Sequence, residues 1–189
     1  MSSVRRNGGR DVDPVAVAVL FVCMGSVIGL VAILSRAVRA DPIDALTIGK
    51  AAPGFTAPDL DGRIHTLEAY QGRPVIINFW ATWCDPCRDE MPILQAAYEQ
   101  HKDVKLAVLA ISQDGKGKGS QESVRDYVAD ATLTLQVLLD PEGTVASHYQ
   151  VLFLPSTVFV NADGVITGIH HGPVAAKQLE QYLTTLLSP

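Results

Sequence analysis

Cysteine is scarce in this chain: Cys23 lies in an apolar run, and Cys84 and Cys87 stand two residues apart in "NFWATWCDPCRDEMP". No second CxxC follows and no HxxxH spacing joins the histidines, so the sequence assembles no set of four ligands for a structural zinc. His170 and His171 are adjacent in an extended stretch and point to opposite faces, which makes them surface and edge residues rather than ligands. No metal site is expected. Clustered positive charge is missing too. The Lys and Arg residues are scattered and the formal net charge is −5, which excludes nucleic acid as a partner. "QDGKGKGSQES" is rich in Gly and Lys but lacks the GxxxxGK[ST] spacing of a phosphate cradle, so it reads as a solvated loop. No internal repeat is visible.

One absence is itself a signal. From Pro14 to Ser35 no residue is charged, and as a helix this run would extend ~33 Å against the ~30 Å hydrocarbon of a bilayer. Val38 and Ala40 ahead of Asp41 give a small-residue cleavage pattern, but signal-peptide cores run only about 7–15 residues, so length favours an anchor. Arg5, Arg6 and Arg10 precede the run, whereas Arg36 and Arg39 follow it, which orients the N-terminus toward the cytoplasm. The expected organisation is a cytoplasmic segment (1–13), a single transmembrane anchor in the cytoplasmic membrane (14–35), a linker (36–52) and one folded extracytoplasmic domain (53–189).

Within that domain, "GFTAPDLDGRIHTLEAY" has a turn signal at Asp61 and Gly62 and predicts a β-hairpin followed by a short helical turn. "PVIINFW" (74–80) is a continuous apolar run of the kind that forms a buried central strand. Met91, Leu94, Ala97 and Tyr98 recur at helical spacing after the cysteines, with Pro92 placed to kink that helix. "VKLAVLAIS" (104–112) predicts the next strand and completes a βαβ unit. A short helix, a strand and another short helix follow, then a hairpin around Asn161–Gly164 and an amphipathic C-terminal helix bearing Leu179, Tyr182, Leu183 and Leu186.

A CxxC can hold metal or cycle between dithiol and disulfide. Here a strand ends, the chain turns, and Cys84 lands at a helix N-terminus, where free N–H groups and the positive end of the helix dipole favour the thiolate. Cys87, one turn on, shares its face and can bridge to it. Pro86 fits a first helical turn, which needs no N–H there. Asp85 adds negative charge beside Cys84, which works against the thiolate and pushes the couple toward reducing potentials.

The strings "NFWATWCDPCRDEMP" and "VLFLPSTVFVNADG" resemble the thioredoxin fold and, within it, the membrane-tethered extracytoplasmic TlpA/ResA/DsbE-like thiol-disulfide oxidoreductases. The resemblance covers about Pro53 to Leu187. It implies an α/β thioredoxin fold, a central mixed sheet flanked by helices with an N-terminal β-hairpin extension. It makes Cys84 the attacking thiolate, Cys87 the buried resolving cysteine and Pro155 a cis-proline facing the pair. Leu154 would offer its backbone to an extended substrate, and Trp83, Asp85 and Pro86 would frame that substrate. Leu154 and Ser156 depart from the Gly or Pro-Thr that often flanks this proline. Classical thioredoxins carry a buried aspartate where this chain has Asn78, so Glu90, three residues after Cys87 on the same helical face, is the candidate proton acceptor. Trp80 reads as core.

The resemblance further implies a reductant of disulfides in exported proteins, such as apocytochrome c or the copper-site cysteines of an oxidase. It would use no cofactor and be re-reduced by a thiol-transferring membrane protein. The rival from another class is a tethered Cu(I)-binding assembly factor using the same two cysteines. An oxidant that forms disulfides would differ by its potential, and peroxide-reducing relatives use a lone activated cysteine in a different setting.

Overall fold

The computed structural model describes residues 46–115 and 117–188; the predicted N-terminal segment, the anchor and most of the linker lie outside them. No helix among the described residues is long and apolar enough to cross a membrane.

Strands β1 (Thr56–Pro58) and β2 (Ile64–Thr66) pair antiparallel around a turn in which Asp59 accepts the N–H groups of Asp61 and Arg63, each at 2.9 Å. A 3-10 turn (Leu67–Tyr70) follows. The main sheet has five strands in the order β5-β4-β3-β6-β7, formed by β3 (Val75–Trp80), β4 (Ala107–Ser112), β5 (Gln136–Leu139), β6 (Ser156–Val160) and β7 (Ile166–His171). β3 lies at its centre, parallel to β4 and antiparallel to β6, and all six of its residues are buried. An apolar run without polar alternation is what a strand covered on both faces requires.

The pleat divides this strand between two cores. Ile76 and Trp80 face a cluster with Cys84, Cys87, Met91 and Leu94 of helix α1 (Asp85–Gln100), Val124 of α2 (Gln121–Asp130) and Leu179 and Leu183 of α4 (Ala176–Leu186). Val75, Ile77 and Phe79 face the N-terminal hairpin and α3 (Thr144–His148), where Tyr149 and Phe55 close the layer. This is the mixed α/β architecture that the resemblance implies.

Three local details differ from, or add to, the sequence-based expectation. β4 begins at Ala107 rather than Val104, because Lys105 adopts a left-handed conformation (φ 57°) and its N–H bonds to the Lys102 carbonyl, which turns the chain out of the helix before it extends. The chain also joins the sheet ahead of Pro53. The Gly49 N–H donates to Ile166 O at 2.8 Å and the Ala52 N–H to Gly164 O at 2.9 Å, so the end of the segment read as linker runs along the outer strand. Helix α1 continues through Pro92, whose missing N–H leaves the Arg88 carbonyl without its helical partner; the Tyr127 hydroxyl of α2 donates to that oxygen at 3.2 Å.

Candidate active site

The loop from β3 to α1 brings the two cysteines to the edge of the sheet. Cys84 occupies the N-cap position, and the Cys87 N–H donates to its Sγ at 3.3 Å. The two sulfurs form a disulfide (S–S 2.01 Å, Cα–Cα 5.3 Å). Cys84 is 7% exposed and Cys87 0%, so only the first sulfur reaches the surface.

Asp114, just past β4, is buried and holds the approach to Cys84. Its carboxylate accepts the Thr82 N–H at 2.9 Å, the Thr82 hydroxyl, and the Ser112 hydroxyl at 2.7 Å. The Gln113 N–H adds a 2.8 Å bond to Trp80 O. The sequence carries no cue to this clamp, because Thr82 and Asp114 lie 32 residues apart. Asp114→Ala is expected to lower unfolding free energy by about 2–3 kcal/mol by stranding buried donors. Asp114→Asn, which keeps one acceptor, should cost less than about 1 kcal/mol; urea denaturation of the two variants checks the difference.

Beside Cys84 opens a cleft of about 590 Å³ lined by Trp83, Cys84, Asp85, Pro86 and Leu154, together with Gln113, Lys118 and residues 151–153. Four of the five residues expected to frame a substrate therefore meet around one sulfur. The fifth, Pro155, follows a cis peptide bond from Leu154 and is buried. Asp85 is exposed and bonded to Arg88 at 2.7 Å, so a cation offsets the charge expected to disfavour the thiolate. Trp80 is fully buried, tilted against Tyr127.

Glu90 lies outside the cleft, at 1% exposure on the buried face of α1. Its Oε1 accepts from Asn78 Nδ2 at 2.8 Å and its Oε2 from the Val174 N–H at 2.7 Å. Asn78 also donates to Thr157 Oγ1 at 3.0 Å, while its own Oδ1 is buried without a partner among the described residues. Burial pushes the Glu90 carboxyl up to about 6, against the lowering influence of the two hydrogen bonds. A carboxyl of that kind, on the helical face of Cys87, can exchange a proton near neutrality.

Comparison with known proteins agrees with this geometry. The AhpC/TSA family profile matches residues 48–169. The thioredoxin-like protein YneN of Bacillus subtilis is 38% identical over 135 residues, 71% of this chain and 78% of its own length. The thiol-disulfide oxidoreductase ResA of Bacillus thuringiensis is 32% identical over 140 residues, 74% of this chain and 79% of its own. Among solved structures, a Chlorobium tepidum protein described as a DsbE thiol:disulfide interchange protein superposes with a TM-score of 0.69 at 27% identity, covering 76% of this chain and 99% of that one. With the family profile, two relatives above 30% identity and the fold in agreement, the chain belongs to the AhpC/TSA family and, within it, to the thioredoxin-like thiol-disulfide oxidoreductases of the ResA and DsbE kind.

Proposed function

We propose that the protein is a membrane-tethered reductant of disulfides in exported proteins, cycling Cys84 and Cys87 between dithiol and disulfide. The observation that carries this is the asymmetry of the pair: one sulfur at the floor of a cleft and at a helix N-terminus, the other sealed beneath it.

In the reduced protein the Cys84 thiolate attacks one sulfur of a target disulfide. The target S–S bond breaks, a mixed disulfide forms, and the departing target thiolate takes a proton from solvent. Cys87 then gives its proton to Glu90, attacks the Cys84 sulfur and releases the second target thiolate. Two electrons have passed to the target, and the enzyme is left in the disulfide form. Leu154, next to the cis-proline, presents its backbone to the target while Trp83, Asp85 and Pro86 border it. The dithiol of a thiol-transferring membrane protein restores the pair.

Residues 14–35 serve as the anchor, with the N-terminus inside and the catalytic domain outside the cytoplasmic membrane, the side where such disulfides persist. Apocytochrome c cysteines and oxidase copper-site cysteines are the targets that suit this placement.

The midpoint potential of the full chain tests the direction of the cycle. A reductant is expected at about −270 mV or below, and a value near −120 mV would make the protein an oxidant instead. A Cu(I) titration run alongside separates the carrier alternative: tight copper binding by a pair that fails to exchange with disulfides would overturn the redox cycle.

A further inference from the structure

The cleft beside Cys84 carries two features that thiol chemistry does not require. Six large apolar side chains are exposed among the described residues, and three of them line this cleft: Leu152 at 89%, Phe153 at 54% and Trp83 at 40%. Isolated exposed apolar residues are ordinary, whereas a group around one concavity marks a surface that meets another chain.

The second feature is an unmatched cation. Lys118 Nζ sits 3.8 Å from the centroid of the Trp83 ring, a contact that holds the ammonium at the cleft instead of leaving it to sweep through solvent. Its backbone is fixed as well. Lys118 and Gly115 exchange N–H···O bonds of 2.9 and 3.0 Å, and Gly117 and Gly119 on either side take positive φ. Gly119 packs so tightly on Asp114 that a β-carbon there would collide with the carboxylate.

No carboxylate among the described residues pairs with Lys118. Asp85, the acid in the same cleft, is bonded to Arg88, and Asp114 spends its oxygens on Thr82 and Ser112. A chain of net charge −5 therefore presents a positioned positive charge beside its reactive sulfur.

We propose that this cleft selects an extended segment in which the target cysteine has an apolar neighbour, seated on Leu152 and Phe153, and an acidic neighbour held by Lys118. The specificity rests on the thiol-disulfide cycle proposed above and names its substrate class.

The test uses the reduced full chain and three synthetic peptides. Each is closed by one disulfide and carries a leucine beside the reactive cysteine; they differ only in a second neighbour, which is Glu, Gln or Lys. The expected kcat/KM order is Glu above Gln above Lys, with about tenfold between the extremes at low ionic strength. The span should contract in ~1 M salt, where screening acts within ~3 Å. Lys118→Met should bring the three values together and Lys118→Glu should reverse their order; any accompanying shift in midpoint potential would act on all three peptides alike. Leu152→Ser should raise KM severalfold for all three peptides.

Equal treatment of the peptides by the unaltered chain would overturn the charge selection. So would a Lys118→Met variant whose potential shifts while the peptide order persists, since the lysine would then act on the thiolate. Unchanged KM in Leu152→Ser would remove the apolar half. Failure of the unaltered chain to reduce any of the three would overturn the underlying cycle instead.

Discussion

Cys87→Ser is expected to stop multiple-turnover disulfide reduction and to accumulate a covalent adduct between Cys84 and the target. With Cys87 sealed at 0% exposure and 5.3 Å away Cα to Cα, the mixed disulfide is resolved from within. An oriented intramolecular nucleophile acts at effective concentrations far above those of any external thiol, so its loss should slow turnover by at least about a thousandfold. Cys84→Ser should lose activity to a similar degree and form no adduct, because the sulfur left behind does not reach the surface. Non-reducing gels and mass spectrometry of cells expressing each variant would show the contrast, and the captured protein would identify the natural target. Sustained multiple turnover by Cys87→Ser would remove the resolving role.

The second large effect concerns Glu90. Its folded-state pKa is raised from 4.5 to about 6, so the native protein holds that proton more tightly than the unfolded chain does. The stabilisation is complete below about pH 4.5 and is lost as pH rises through 6; at neutral pH the buried anion costs ~2 kcal/mol relative to the neutral carboxyl. Catalysis runs the other way, because only the anion above pH 6 can accept the Cys87 proton. Glu90→Gln should therefore slow resolution by roughly 10²-fold at neutral pH and erase the inflection near 6 from the pH–rate profile.

The same change should leave stability at neutral pH equal or higher. The new amide can accept from the Val174 N–H, and an Asn78 flip that lets Oδ1 accept from it leaves Nδ2 where Oδ1 had no partner. The hydrogen-bond exchange is therefore near even, while the ~2 kcal/mol cost of the buried anion is removed. Loss of rate with no loss of stability is a pairing that a merely structural glutamate would not produce. An unchanged pH–rate profile would discard the proton-acceptor assignment.

The parts of this protein that announce themselves in the sequence are those set by local pattern. The apolar run 75–80, the Asp61–Gly62 turn and the helical spacing of Met91, Leu94 and Ala97 all report which face is buried, and the sheet and helices follow. Cys84 and Cys87 are equally plain, since a strand end before CxPC defines an N-cap.

Contacts made across the fold are not legible in the same way. Glu90 stands out in the sequence only by its spacing from Cys87 and the family resemblance; the Val174 N–H that closes on it, 84 residues away, has no local cue. Asn78 attracts notice as a missing aspartate, but its role as a donor to Glu90 depends on the pleat of β3 meeting the buried face of α1. Lys118 lies in a stretch whose Gly- and Lys-rich composition reads as a solvated loop. Its place over Trp83 depends on a backbone clasp and on the tight seat of Gly119, and composition encodes neither.

Pro92 gives the active-site helix an articulated construction. Ahead of it, the turns bearing the sulfurs are strapped sideways to α2 by Tyr127; beyond it, Leu94 and Ala97 seat the remainder on the sheet. With one rung of the ladder missing between the two halves, the sulfur-bearing end depends on that sideways bond to α2 and the remainder on its seat against the sheet.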